Sequence, residues 1–575
     1  MNIIATLLLV ALTACNIIST KEDPITYGEG YLEIRLATDK ACYAPGEEVS
    51  FTLNKIPAEG CTIRYRHLAE TLSEEPLTAT TWSWMPPSTD YQGYLVDIYN
   101  ASGTIVSIAV DVSSEPMRFP RNGFLSAYGD LSDKEMNDVL NSLNRYHINY
   151  VQFQDWHWKH HHPLAGTSIQ PMEVWTDIIS RNCYRKTINY YIQEAHNRNM
   201  KCLFYNLAYG ALDDAQEDGV DRNWYVFKDR RCTNPDMHEL GSPFKSSIYL
   251  VNPANTDWQD FLAQQNDEVY KVFDFDGYQI DQLGDRGTVY DYTGNYVNMS
   301  EGYLPFIDRM KEAHSDKRLV MNAVGQYGQE YIAQAPTDFL YTEVWDTIGY
   351  APLSNIITQN DNLGAGKKTV LAAYMNYANG QRARGYFNTH SVLLTTAAIH
   401  LWGGAMLQMG EHMLTTEYFP NNNLSMRADL HKAIICYYDF ITAYENLLRD
   451  GGTWIGVDVQ APDGETNFNQ WQPQLGQVAT VGKQFADKTV VHLLNFNGAT
   501  HTNWVDNNGR QGEPKTFAQI RVSMPASAQP TRVYTASPDY NAGAAQICEN
   551  VDFSNGQITF TLPYLKYWTM IVVEY

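Results

Sequence analysis

Gly277-Tyr278-Gln279-Ile280-Asp281-Gln282-Leu283-Gly284 is a short, largely apolar run that delivers a carboxylate three residues ahead of a glycine. Asp338-Phe339-Leu340-Tyr341-Thr342-Glu343-Val344-Trp345-Asp346 repeats the design, with a glutamate ahead of a tryptophan. Runs of this length read as buried strands, because a core helix needs ten or more residues. Similar runs lie at Gly123 to Tyr128, Ile148 to Asp155, Cys202 to Asn206, Leu319 to Ala323, Thr369 to Tyr374 and Ala405 to Met409. Between them the period changes to that of a helix, as in Met136, Val139, Leu140 and Leu143, or Ile188, Tyr191, Ile192 and Ala195. Ser132 followed by Glu135 is the capping box that opens the first of these helices. Parallel strands each need a covering crossover, so the alternation predicts a (β/α)8 TIM barrel over 116–450, with a doubly wound sheet as the alternative. No glycine-rich phosphate loop follows any strand.

On both sides of this region the period is two. Leu32, Ile34 and Leu36, then Val49, Phe51 and Leu53, then Tyr94, Val96 and Ile98 alternate with polar residues, with Pro45-Gly46 and Gln92-Gly93 read as turns. This predicts an N-terminal immunoglobulin-like β-sandwich over 26–115. From Asp450-Gly451-Gly452 onward the alternation returns at Val490 to Phe496, Ile520 to Met524, Ile558 to Leu562 and Thr569 to Val573. A C-terminal antiparallel β-sandwich is expected over 451–575. Residues 1–15 read as a leader: Ile3 to Leu12 is apolar but too short to span a bilayer, and Leu12-Thr13-Ala14-Cys15 resembles a bacterial lipoprotein box. Lipidation of Cys15 would place the protein at the bacterial cell envelope, at the surface or in the periplasm, touching membrane through its lipid alone. A plain secretory leader is the alternative.

Among the 575 residues, 65 acidic against 41 basic side chains leave a formal charge of −24, which disfavours nucleic acid as a partner. A neutral ligand fits better, and the 39 tyrosines and 13 tryptophans offer rings for stacking on sugars as well as for core packing. The eight cysteines contain no CxxC spacing, so zinc and thioredoxin-like readings lack support. Pairing of Cys42 with Cys61 is left open.

On a closed barrel, function gathers where the strands end. Asp281 and Glu343 end the fourth and sixth strands, so both reach one bowl. Paired carboxylates in that position fit glycosidic-bond chemistry: an ionised Asp281 as nucleophile, and Glu343, its pKa raised by Val344 and Trp345, as proton donor and acceptor. Each acid could instead cap a helix or pair with a base such as Arg286. The block Gln152 to His162, with Asp155, Trp156 and His157, mixes aromatics with hydrogen-bonding groups, and Asp155 can accept from two neighbouring hydroxyls. Tyr205, Tyr209, Asn322, Tyr374, Asn376, Gln408, Glu411 and His412 lie near other strand ends. His160-His161-His162 is not taken as a metal site, since adjacent loop residues seldom converge on one ion.

Phe275 to Gly284, the Asp155-Trp156-His157 core, Asn322-Ala323 and Tyr341 to Trp345 together resemble glycoside hydrolase family 66. That family holds endo-dextranases and cycloisomaltooligosaccharide glucanotransferases, retaining enzymes that act on α-1,6-glucan. The resemblance covers nearly the whole chain and implies Asp281 as nucleophile, Glu343 as acid/base, Asp155 as an acid at the cleavage subsite, and His157, Tyr209, Asn322, Trp345 and Gln408 as substrate-binding residues. It implies dextran and isomaltooligosaccharides as partners and no required cofactor; calcium is left open. The family's cyclising enzymes carry a carbohydrate-binding module inserted in the barrel. Here about thirty residues separate the seventh and eighth strands, the length of a loop and a helix. Hydrolysis is therefore favoured over cyclisation, with a non-catalytic glycan-binding lipoprotein and a glycosidase of other linkage specificity as rivals.

Overall fold

A computed structural model describes residues 34–57 and 60–575. Residues 1–15, where a leader and Cys15 lipidation are expected, and Leu32 lie outside the described residues. Among those described, no helix is long and apolar enough to cross a membrane.

The centre is a (β/α)8 barrel. Its strands and principal helices run β1 (Asn122–Leu125), α1 (Asp133–Arg145), β2 (Tyr150–Phe153), α2 (Arg185–His196), β3 (Lys201–Leu207), α3 (Thr256–Val272), β4 (Gly277–Asp281), α4 (Tyr303–Ala313), β5 (Arg318–Val324), α5 (Gln329–Gln334), β6 (Leu340–Glu343), α6 (Ala351–Leu363), β7 (Thr369–Ala372), α7 (Thr389–Leu401), β8 (Ala405–Leu407) and α8 (Ala428–Ala443). The strands pair in chain order, all in parallel, and a parallel bridge from Gly123 to Met409 closes the ring. All eight expected strands are present. Those at β1, β2, β4, β7 and β8 stop short of their apolar runs, and the apolar residues beyond are buried by packing rather than by strand pairing: Tyr128, for example, stacks on Phe153.

Alternation along each strand sorts the side chains. Tyr278 and Ile280 pack outward among the helices, as do Leu319, Met321, Leu340, Leu371 and Met406. Val320, Tyr341, Val370, Ala372 and Leu407 fill the barrel interior. Gly277, Gln279 and Asp281 therefore share the inward face of β4. A Cβ at Gly277 would lie 2.0 Å from the Arg318 carbonyl oxygen, so only glycine lets β4 approach β5 there. The capping box at α1 forms as expected: Glu135 N donates to Ser132 Oγ, and Ser132 N donates to Glu135 Oε2.

Before the barrel, a three-stranded sheet (Leu36–Thr38, Val49–Leu53, Thr81–Trp84) faces a four-stranded one (Glu70–Pro76, Thr62–His67, Gln92–Asn100, Gly103–Val112). Tyr65 of one stacks on Trp84 of the other at 4.6 Å. Gly46, with φ +85°, makes the expected turn. Gln92-Gly93 does not, for it begins a strand. A Cβ at Gly93 would meet the Thr442 carbonyl oxygen at 2.1 Å, so this glycine serves close packing of the sandwich on α8. Cys42 and Cys61 are both free and buried. After the barrel, a seven-stranded sheet and a three-stranded sheet share an apolar core that includes Val491, Ile571, Val522 and Phe560.

Arg121 joins sandwich to barrel. Its guanidinium pairs with Asp111 of the last sandwich strand and with Glu445 after α8 at 3.0 Å, and its Nε donates to the His147 carbonyl at 2.6 Å. All three charged side chains are about 1% exposed or less. Arg121→Ala removes the guanidinium that both buried acids pair with and is expected to cost about 3–5 kcal/mol in denaturant unfolding.

Candidate active site

The inward face of each strand delivers its last side chain to one mouth. Asp281 Oδ2 accepts from Tyr205 Oη at 2.8 Å, and Asp281 Oδ1 from Asn322 Nδ2 at 2.9 Å. The same Asn322 nitrogen lies 3.5 Å from Glu343 Oε2, while Asn322 Oδ1 accepts from the backbone N of Glu343 at 3.1 Å. Both faces of this amide are engaged, so its orientation is set by its surroundings. Two carboxylates on one nitrogen sit closer than the ~6.5–9.5 Å of inverting pairs and are compatible with the ~5–5.5 Å of retaining pairs. Tyr374 Oη donates to Glu343 Oε1 at 2.6 Å.

The electrostatics separate the two acids. Burial pushes Glu343 up to about 7, the negative charge of Asp281 adds to it, and hydrogen bonds from Tyr374, Trp345 and Asn322 oppose it. Asp281 is also raised by burial, but bonds from Asn322, Tyr205 and the Gln282 backbone hold it down. Glu343 is thus the group poised to carry a proton near neutrality, and Asp281 the one supported as an anion.

Asp155, also in this cleft and 8% exposed, has a left-handed backbone at φ +50°. Burial pushes it up to about 7, against the pull of Arg181 and with the charges of Asp177 and Asp281 adding. Arg181 clamps the segment, donating to Asp177, to the Ser126 carbonyl at 2.6 Å and to the Asp155 carbonyl at 3.4 Å. The cleft, about 750 Å³, is walled by His238, Leu240 and Phe244 from the long excursion after β3, and by Glu417, Tyr418 and Phe419 after β8.

Asp281, Glu343, Asp155, Asn322 and Trp345 all line this cleft. His157, Tyr209 and Gln408 do not. His157 is fully buried, its Nε2 3.0 Å from His160 Nδ1. Tyr209 Oη accepts from Leu283 N at 2.8 Å and its ring stacks on Tyr303. Gln408 lies on the helix-facing parity of β8, where it meets Tyr438 of α8 and Thr396 of α7. Trp156 packs in the core among Phe204, Phe273 and Phe275. His161 meets Asp214 and Asp218, which arrive from the excursion after β3, but Lys159 Nζ already sits 2.6 and 2.5 Å from those carboxylates. The lysine ammonium takes the place of a cation there.

Arg181, Asp177 and the wall from 236–248 carry no signal in the sequence, since none of them sits at the end of a barrel strand. Tyr205 and Tyr374 were visible as phenols at strand ends, without their carboxylate partners.

A family model described as glycosyl hydrolase family 66 matches residues 38–572. A cycloisomaltooligosaccharide glucanotransferase of Niallia circulans is 25% identical over 738 aligned residues, covering 100% of this chain and 75% of its own length. A dextranase of Streptococcus salivarius is 23% identical, covering 84% of this chain and 68% of its own. A solved cycloisomaltooligosaccharide glucanotransferase of Paenibacillus sp., complexed with cycloisomaltoheptaose, superposes with a TM-score of 0.85 at 25% identity over 94% of this chain and 99% of that one.

Proposed function

We propose that this chain, which belongs to glycosyl hydrolase family 66, cleaves internal α-1,6-glucosidic bonds of dextran with retention and releases isomaltooligosaccharides. The observation that carries the reading is the single Asn322 amide held between Asp281 and Glu343. Ionised Asp281 attacks the anomeric carbon while Glu343 gives its proton to the leaving oxygen. Water then displaces Asp281, losing a proton to Glu343. Asp155 is assigned to accept hydrogen bonds from hydroxyls of the ring being cleaved.

Hydrolysis rather than cyclisation is supported by the span between β7 and β8, which holds a short helix (Tyr377–Arg382), a two-residue strand (Gly385–Tyr386) and α7, too little for an inserted module. The alignment with the Niallia circulans enzyme is also longer than this chain, so that relative carries segments with no counterpart here. The second reading, a cyclising glucanotransferase, is favoured by one finding: the glucanotransferases named above match at higher identity than the dextranase. Incubation with dextran and time-resolved sizing of products separates them. A ladder of linear oligosaccharides with rising reducing ends is expected; ring products without reducing ends would replace hydrolysis by cyclisation, and no cleavage of dextran would overturn the linkage assignment.

Cys15 is assigned as the lipidation site that holds the enzyme at the cell envelope. Cys15→Ser is expected to release the protein into the soluble fraction, and a variant still sedimenting with membranes would remove that assignment.

A further inference from the structure

One loop of the C-terminal sheets returns to the barrel mouth. Trp504 is buried and donates its Nε1 to the Asp346 carbonyl at 2.9 Å, Gly349 N donates to Asn503 Oδ1 at 3.1 Å, and Asn376 N donates to the Val505 carbonyl at 2.8 Å. Ala378 N donates to Asn507 Oδ1 at 3.3 Å. The loop is thereby fastened to the segments that follow β6 and β7, next to Glu343.

Two hollows lie along this seam. One, about 120 Å³, is bounded by Trp345 and Tyr374 together with Val505 and Asn507. The other, about 280 Å³, is bounded by Ile348, Asn508 and Arg510, again with Val505 and Asn507. Trp345 and Tyr374 also line the catalytic cleft. Shared walls therefore set the hollows one after the other along a seam that starts beside the cleft, at Trp345 and at the Tyr374 that bonds Glu343. Along it Trp345 is 42% exposed, braced by Tyr374 and Tyr377 at 5.7 and 5.9 Å, and Ile348 is 80% exposed. Open apolar surface bordered by side-chain amides and a guanidinium suits a neutral chain of sugar rings, whose C–H faces stack while its hydroxyls find hydrogen-bonding partners.

We infer that residues 501–510 and Ile348 form distal subsites for the leaving-group end of the glucan chain, an inference that rests on the catalytic reading above. Glu343 protonates the leaving oxygen, so the departing chain lies on the Glu343 side, where this seam begins. The C-terminal sheets thus take part in gripping long substrates, and the grip is felt only by chains long enough to reach past Trp345.

The test is the length dependence of kcat/KM. Ile348→Ala/Arg510→Ala, which removes two exposed side chains, is expected to lower the ratio of kcat/KM for dextran over that for isomaltotriose about tenfold, through KM. Ile348→Ala alone is expected to show part of this loss. A ratio unchanged in both variants overturns the subsites. If the wild-type enzyme proves to cleave another linkage, the same ratio is measured on long and short forms of that glucan, so the loop assignment and the linkage assignment fail separately.

Discussion

Asp281→Asn is expected to lower dextran turnover by about 10³-fold or more while leaving the fold intact. The substitution preserves the shape of the side chain but removes the lone-pair charge that must form the bond to the anomeric carbon, and no other group takes over that step. Tyr205 and Asn322, which hold the carboxylate from two sides at 2.8 and 2.9 Å, remain to hold the amide. Because burial disfavours the charge that is lost, the variant is expected to melt no lower than wild type at pH 8. Near-normal turnover in a folded variant would remove Asp281 from the reaction. Azide added to Asp281→Ala, with an activated glucosyl donor, attacks from the vacated side and should give the inverted glucosyl azide.

Glu343→Gln is expected to cost about 10²- to 10⁴-fold with dextran, the range for a lost general acid. With a leaving group that needs no protonation the loss should be far smaller. Azide rescue of Glu343→Ala should give the retained anomer, since azide then enters at the second step, in place of water. The same residue sets the alkaline limb of the pH profile. Glu343 must be protonated to start the reaction and is pushed up to about 7, so kcat/KM should fall as pH rises past about 7. Tyr374 donates to the ionised form and holds this value down. Tyr374→Phe should therefore move the alkaline limb to higher pH. Residual activity in Asp281→Asn should show the opposite shift, because the charge that helps keep Glu343 protonated is gone. A limb unmoved by either change would show that another group governs it.

Much of this enzyme was legible in local pattern. Period-two runs flanking alternating strand and helix periods point to a parallel sheet between two sets of antiparallel sheets; the parallel bridge from Gly123 to Met409 decides that this sheet closes into a barrel rather than winding openly. Acids at the ends of β4 and β6 were readable too: a strand end in a barrel has one destination. Parity along the strand carried further information, for it puts Gln408 on the face opposite to Leu407 and so outside the cleft. His157 and Tyr209, in loops, obey no such rule, and their burial came from packing against His160 and Tyr303.

What the sequence by itself determined was the order of elements and the two carboxylates that reach the mouth. What tertiary structure alone decided was which distant groups meet: Asn322 between the acids, Arg181 beneath Asp155, Lys159 between Asp214 and Asp218, and the Trp504 loop against Asp346. Side-chain alternation is a local consequence of strand geometry. Juxtaposition across hundreds of residues depends on closing the ring and folding the last sheets back over it, and no periodicity in the chain encodes that.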